Sequence, residues 1–387
     1  MEQNMKNIFS EFAMQMEKDV QYDGFSEQDL INKWTSKLLS LSNEFRKEKK
    51  KLSFKELYSE TVLAVSDKKI DNVLFESIPT GLTALDEKLG GLPLGELIIL
   101  GARPAMGKTA FLITMMANSI NGKNVPMAYF SMEASAQYTM LRLISLVSEI
   151  TYSRLVSKHL EPNEINTILN TTKILAEANI TIEDNCFTID DIIAETHFLV
   201  KEKGVKLIII DYLQLVQTRS KMNREQEIAK VCRVLKSLAQ KYNIAVFVSS
   251  QLSRAVETRG GDKKPQLSDL RESGAIEQDA DKVLFLYRPE YYNIIEDCEG
   301  NSTQGLAEII IAKNRGGLLD SAITKFVGAF SVFKDLEIPE TTEIFELVDD
   351  FGISNPVKSF LSIRKDEFNS STNPSSNMND TEQNQPF

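Results

Sequence analysis

The stretch LIILGARPAMGKTAFLITMM, residues 97–116, joins two apolar runs through a turn of small residues that ends in Gly-Lys-Thr. No other feature limits the folds open to this chain as strongly. The run ELIIL is short, β-rich and apolar, as expected of a strand buried on both faces of a parallel sheet. TAFLITMMANSI has the length of a helix and few breakers. A strand, a tight loop and a helix in that order aim free backbone N–H groups at one point, and the helix N-terminus adds positive potential there. Ala102, Arg103, Pro104, Ala105, Met106, Gly107, Lys108, Thr109 and Ala110 are therefore expected to cradle the phosphates of a nucleoside triphosphate. Lys108 would reach the terminal phosphates, and the Thr109 hydroxyl would ligate Mg²⁺. The strict pattern opens on glycine; here Ala102 stands at that position, one residue after Gly101. The loop alone leaves open whether the nucleotide drives a motor, a switch or a transfer.

The rest of the chain supplies the sheet. After a break at Pro79 and Gly81, the segments ELIIL, VPMAYFS, ITIED, KLIIID, IAVFVSS and DKVLFLY read as strands, most of them separated by helical stretches. That alternation predicts an α/β fold with a mainly parallel sheet. LAEIIIAKNRGG and AITKFVGAFSVFKDL are expected to close it as an antiparallel pair. Residues 1–75 read as a small helical extension, with Leu30, Ile31, Trp34, Leu38 and Leu39 at helical spacing. Packing on a partner subunit and packing on the chain's own core are both open to it. From 353 to 387 the sequence is polar and Asn/Ser-rich, which predicts a disordered tail.

In a parallel sheet, ligands sit beyond the carboxyl ends of the strands, so the residues found there carry the chemistry. Glu133 ends AYFSME and could activate a water for attack on the γ-phosphate; it could also cap the next helix. Asp211 follows four apolar residues in LIIID, the place of a carboxylate that holds Mg²⁺ through water. Gln251 ends IAVFVSSQ, where a neutral amide could sense the γ-phosphate. Lys313 and Arg315 fall on one face at the end of IIIAKNR. They could reach a phosphate in another subunit, or be solvated cations that protect an edge strand.

Net charge decides less than it first suggests. The chain carries −11, but residues 333–387 hold eleven acidic and four basic residues, so the body before them is near −4. A local basic surface can still bind phosphates on such a body. Arg219, Lys221 and Arg224 lie in one polar loop after the Asp211 strand. Arg254, Arg259, Lys263, Lys264 and Arg271 lie in a second loop, after Gln251. Both loops suit a nucleic-acid backbone contacted without base reading, and both also suit plain solvation. No apolar run approaches the roughly 20 residues that a membrane span needs. The three cysteines, Cys186, Cys232 and Cys298, show no CxxC spacing, which fits a reducing cytoplasm and no metal centre.

Taken in order, TGLTALDEKLGGLPLGELIILGARPAMGKTAF, SMEAS, LIIIDYLQLV, SSQLSR, SDLRESGAIEQDADKVLFLYRPE and IIIAKNRGG resemble the bacterial replicative DNA helicases of the DnaB type. The resemblance spans about Ile78 to Leu336, and DLRESGAIEQDAD is its most specific part. It implies a RecA-like P-loop NTPase core, a hexameric ring, ATP and Mg²⁺ at each subunit interface, and single-stranded DNA in the central pore with 5′-to-3′ movement. It implies that Glu133 is the catalytic carboxylate, Asp211 the metal aspartate, Gln251 the γ-phosphate sensor, and Lys313 and Arg315 the pair supplied in trans. Arg271, Glu272 and Gly274 fall on the loop that holds the DNA backbone. A helicase loader and primase are the implied protein partners. Residues 1–75 are shorter than the family's N-terminal helical domain, and SFKELYSETVLAV is expected to hold the linker helix that hooks onto the next subunit. KNRGG stands where the family more often has KQRNG. An ATP-switched DNA-binding scaffold and a RecA-type recombinase remain open beside the helicase; forked-duplex unwinding separates the first from it, and a closed ring the second.

Overall fold

The computed structural model describes residues 2–21, 24, 26–44, 53–55, 58, 61–62, 76–157, 159–219, 223–270, 273–296 and 299–336. Lys221, Arg271, Glu272, Cys298, most of the expected linker helix and the whole 353–387 tail lie outside them. The chain divides into two compact units, Met1–Glu76 and Ser77–Phe387.

In the first unit, α1 (Glu2–Val20) and α2 (Glu27–Glu44) form a helical pair. The Ser26 hydroxyl accepts from Asp29 N at 3.2 Å and so caps α2. Trp34 is buried, with its ring edge-on to Phe12 at 4.8 Å. Lys33 closes the pair on Asp19 at 2.7 Å. Of the apolar stripe, Trp34 thus finds a partner within the extension, while Ile31 and Leu38 stay exposed.

The second unit opens with β1 (Ser77–Ile78), α3 (Thr83–Leu89) and β2 (Leu92–Pro93). There follow β3 (Leu97–Ala102), α4 (Lys108–Asn121), β4 (Met127–Ser131), α5 (Ala136–Ser148), β5 (Ile180–Glu183), α6 (Ile189–Lys203) and β6 (Leu207–Asp211). The chain continues through α7 (Arg224–Tyr242), β7 (Ala245–Gln251), α8 (Ser273–Asp279), β8 (Lys282–Tyr287), β9 (Leu306–Asn314), β10 (Asp320–Val327) and β11 (Val332–Lys334). Nine strands form one sheet in the order β11-β10-β9-β8-β3-β7-β6-β4-β5. From β8 to β5 all pairings are parallel, and β9 to β11 extend the sheet antiparallel.

All six expected parallel strands are present. The closing antiparallel pair is three strands, because AITKFVGAFSVFK folds back on itself and β10 pairs with β11. Gly328 and Ser331 make the turn, and Ser331 takes a left-handed φ of 52°.

The alternation of side chains explains the layering. Ile98 and Leu100 of β3 join the core beneath α4, while Leu97 and Ile99 join the core beneath α6 and α7. With both faces covered, β3 is buried at all six positions, as its unbroken apolar run required. Helices on both faces of a mainly parallel sheet give the expected α/β architecture.

Candidate active site

β3, β7, β6 and β4 are neighbours in the sheet, so their carboxyl ends place Ala102, Gln251, Asp211 and Ser131 along one edge. The loop from β3 to α4 closes over that edge. Ala105 takes a φ of 62° and Gly107 a φ of 103°, which turns the loop back on the helix. A Cβ at Gly107 would also stand 3.2 Å from Cζ of Phe333. Gly107→Ala is therefore expected to cost about 1–3 kcal/mol from backbone strain. It should raise the Kd of a non-hydrolysable ATP analogue in titration; unchanged binding would mean that the loop adapts.

Around the loop lies a cleft of about 340 Å³ lined by residues from five segments, among them Lys108, Thr109, Glu133, Gln251 and Phe326. Asp211 is 4% exposed and accepts three hydroxyls: Thr109 at 2.6 Å and Tyr129 at 2.9 Å on Oδ2, and Ser249 at 2.6 Å on Oδ1. Burial, with the adjacent Asp211 anion, pushes the Tyr129 phenol well above its ordinary range, so it stays a donor. Lys108 Nζ donates to the carbonyls of Ala102 at 3.3 Å and Arg103 at 3.4 Å. Burial lowers the Lys108 ammonium from its usual value, against the opposing pull of Asp211 and Glu133. A phosphate chain would relieve that desolvation with opposite charge. Glu133 itself is exposed to the cleft.

The oxygens of Thr109 and Asp211 are the hard donors that suit Mg²⁺, which takes few protein ligands and completes its shell with phosphate and water. No cluster of three or more His, Cys, Asp or Glu side chains exists among the described residues. The donor set therefore fits a nucleotide-borne magnesium and no dedicated protein cage.

Two members of the expected cradle turn their side chains away. Met106 is buried in the core beneath α4. Arg103, 5% exposed, donates to Glu257 Oε1 at 2.7 and 2.9 Å and to the Leu252 carbonyl at 2.7 Å. Any contact of theirs with phosphate would run through the backbone, where Met106 N already donates to the Arg103 carbonyl at 3.3 Å.

Lys313 and Arg315 are not brought to this cleft. Asn314 lies beside Lys282, and Lys282 beside Ile98 near the start of β3. The phosphate loop leaves β3 four residues further on, roughly 13 Å away at 3.3 Å per residue. Instead the two cations hold the carboxyl end of α8. Lys313 Nζ donates to the carbonyls of Glu277 and, at 2.7 Å, Ala280; Arg315 donates to the carbonyl of Gln278 and pairs with Asp281 at 3.5 Å. Burial and the neighbouring Arg315 lower the Lys313 ammonium.

Of the loop cations, Arg219 pairs with Asp190 at 3.4 Å. Arg224 starts α7, donates to Glu227 at 2.9 Å and also bonds the Gln214 carbonyl. In the second loop, Arg259 pairs with Asp269, and Lys264 with Glu308 at 2.7 Å. Gly274 sits exposed in the first turn of α8 with open space where a Cβ would be.

Sequence reading missed Arg142, Tyr212, Phe326 and Ser331, which also line the cleft. Phe326 and Ser331 arrive through the β10–β11 hairpin, which carries no motif. Arg142 arrives through the register of α5 alone. Gln214 was also missed; its side-chain Oε1 accepts from Gln251 N at 3.1 Å.

The chain is similar to known proteins over most of the second unit. A family profile described as the DnaB-like helicase C terminal domain matches residues 77–335. The replicative DNA helicase DnaB of Geobacillus stearothermophilus is 41% identical over 263 residues, covering 67% of this chain and 57% of the relative. That of Buchnera aphidicola subsp. Baizongia pistaciae (strain Bp) is 36% identical over 318 residues, covering 80% of this chain and 67% of the relative. The match to the first of these thus takes in just over half of that protein's length. Among solved structures, a DnaB-like replicative helicase described with its interactions with primase superposes with a TM-score of 0.70 at 28% identity, over 86% of this chain and 76% of that one. A second solved structure, described as an ATPase domain, superposes at 0.66 and 30% identity, over 74% of this chain and 99% of that one.

Proposed function

This chain belongs to the DnaB-like helicase family, and from that premise we propose that it is an ATP-driven DNA helicase acting as a head-to-tail ring on single-stranded DNA. The carrying observation is the separation of the two halves of the site. The phosphate loop, Glu133, Asp211 and Gln251 edge one cleft, whereas Lys313 and Arg315 sit at the opposite end of the same sheet. That separation supports a reading in which the two cations serve a neighbour's nucleotide; the assembly would then be heterologous, as in a ring or filament.

In this reading the backbone N–H groups of 105–109 and the Lys108 ammonium bind the phosphates of ATP. Thr109 and Asp211 would hold Mg²⁺, which would supply positive charge to neutralise the phosphates. Glu133 takes the proton of the attacking water, and Gln251 senses the γ-phosphate. Lys313 and Arg315 of the adjacent subunit stabilise charge as the bond breaks. The loop of Arg271, Glu272 and Gly274, with Arg219 and Lys221, holds the DNA backbone, and Arg224 supports the latter segment from within the chain. Residues 76–352 carry the motor, and 1–75 form the extension that joins neighbours. Primase and a loader are partners in keeping with this role. Among the described residues no helix is long and apolar enough to cross a membrane.

ATP hydrolysis with and without single-stranded DNA tests the proposal. Stimulation of about tenfold or more is expected in the native chain and should be lost in Arg271→Ala, with forked-duplex unwinding lost in parallel. Turnover that is independent of DNA and indifferent to Arg271 would instead favour the ATP-switched scaffold.

A further inference from the structure

The end of β7 poses a hydrogen-bonding problem. β6 pairs with β7 as far as Ile210 and Val248. β7 runs on to Gln251, and on its other side β3 pairs with it to the end, Ala102 lying beside Gln251. The backbone groups of Gln251 that face β6 have lost their strand partner, and buried amides must find another. The partner is the carboxamide of Gln214, in the tight turn Leu213–Leu215 that follows β6. Its Oε1 accepts from Gln251 N at 3.1 Å; its Nε2 donates to Ser250 Oγ at 2.9 Å and approaches the Gln251 carbonyl at 3.4 Å. One side-chain amide, with a donor and an acceptor, replaces the missing residue of β6.

The same residue is held from its other side. The Gln214 backbone carbonyl accepts from the Arg224 guanidinium, which also bonds Glu227 at 2.9 Å. Glu227 in turn accepts the Thr218 hydroxyl at 3.3 Å. Thr218 and Arg224, on either side of Lys221 in sequence, are thus both tied to Glu227, and Arg224 to Gln214 as well.

We propose that Gln214 is a positioning residue that fixes Gln251 at the nucleotide cleft and transmits to it the position of the 219–224 segment. Phosphate contacts that draw on this segment shift Arg224, hence the Gln214 turn, hence the strand end that bears Gln251. The proposal rests on the reading of Gln251 as the γ-phosphate sensor and of 219–224 as a DNA contact.

The test uses the full chain with Mg²⁺-ATP and oligo-dT as probe, in Gln214→Leu, Gln214→Glu, Arg224→Gln and Arg224→Ala. Gln214→Leu should lower the DNA-stimulated increment in kcat about tenfold, while KM for ATP and Kd for oligo-dT stay within about twofold. Without any ligand, the Gln251 amide should exchange hydrogen at least about tenfold faster in Gln214→Leu, because its acceptor is gone. Gln214→Glu keeps that acceptor and should restore the protection of Gln251 N. Arg224→Gln keeps a donor without charge and should retain more stimulation than Arg224→Ala. A retained increment in Gln214→Leu, a parallel fall in oligo-dT affinity, or an unchanged Gln251 amide would overturn the positioning role. Equal loss in the two Arg224 variants would overturn the transmission. If the native chain shows no DNA stimulation, the functional reading fails, and the exchange data alone decide whether Gln214 holds Gln251.

Discussion

Glu133→Gln should bind ATP as the native chain does and hydrolyse it about 10²–10⁴-fold more slowly, the span typical of a lost general base. The substitution is nearly isosteric and removes only the group that can take a proton. Glu133 lies exposed at the cleft, where Lys108 feels both its charge and that of Asp211. Binding should survive because the phosphates meet the loop and Lys108, not Glu133. Single-turnover hydrolysis and equilibrium titration on the same preparation check both halves. Turnover within about threefold of native would reject the assignment. Loss of binding with turnover would instead make Glu133 a structural member of the cleft.

A mixture of two inactive variants should regain activity. Lys108→Ala disables the loop, and Arg315→Ala disables the cation supplied to a neighbour. If the site is shared, an intact loop on an Arg315→Ala subunit can meet an intact Arg315 on a Lys108→Ala subunit. In an equal, random head-to-tail mixture about one interface in four is then complete, and turnover should recover to about that fraction. If Arg315 served its own cleft, no mixture would recover. The sheet register argues against that second case: Arg315 follows Asn314, which lies opposite Lys282 at the amino end of β8, while the loop leaves the carboxyl end of β3. Arg315 also caps α8, so Arg315→Ala should be compared with Arg315→Lys, which keeps a donor for the Gln278 carbonyl.

Much of this architecture was legible because it is local. The strand-loop-helix of 97–121 carries its own signature of period, turn and length. Asp211 and Gln251 were findable because apolar runs end on them, and a run's end is a place in a parallel sheet. What escaped depends on register and on the rotation of a helix about its axis. β10 and β11 are one apolar stretch to periodicity, and only their mutual register separates them. Phe326 reaches the cleft by that register, and Arg142 by the turn of a helix around its axis. Arg224 reads as a basic loop residue, yet its guanidinium is spent on Glu227 and Gln214. Charge in a sequence does not say whether a side chain faces water or a carbonyl.

The last described strand also closes the first structures of the second unit. Asp335 accepts from Thr83 N at 2.8 Å and so caps α3, and Phe333 N donates to Thr114 Oγ1 at 3.2 Å. The ring of Phe333 stands against Gly107 in the phosphate loop. During synthesis the loop therefore emerges long before its wall. At the usual 5–20 residues per second, roughly 10–45 s separate the two. Through that interval the nascent chain has a phosphate loop but no closed cleft, and nucleotide can stabilise the fold only after β11 has been made.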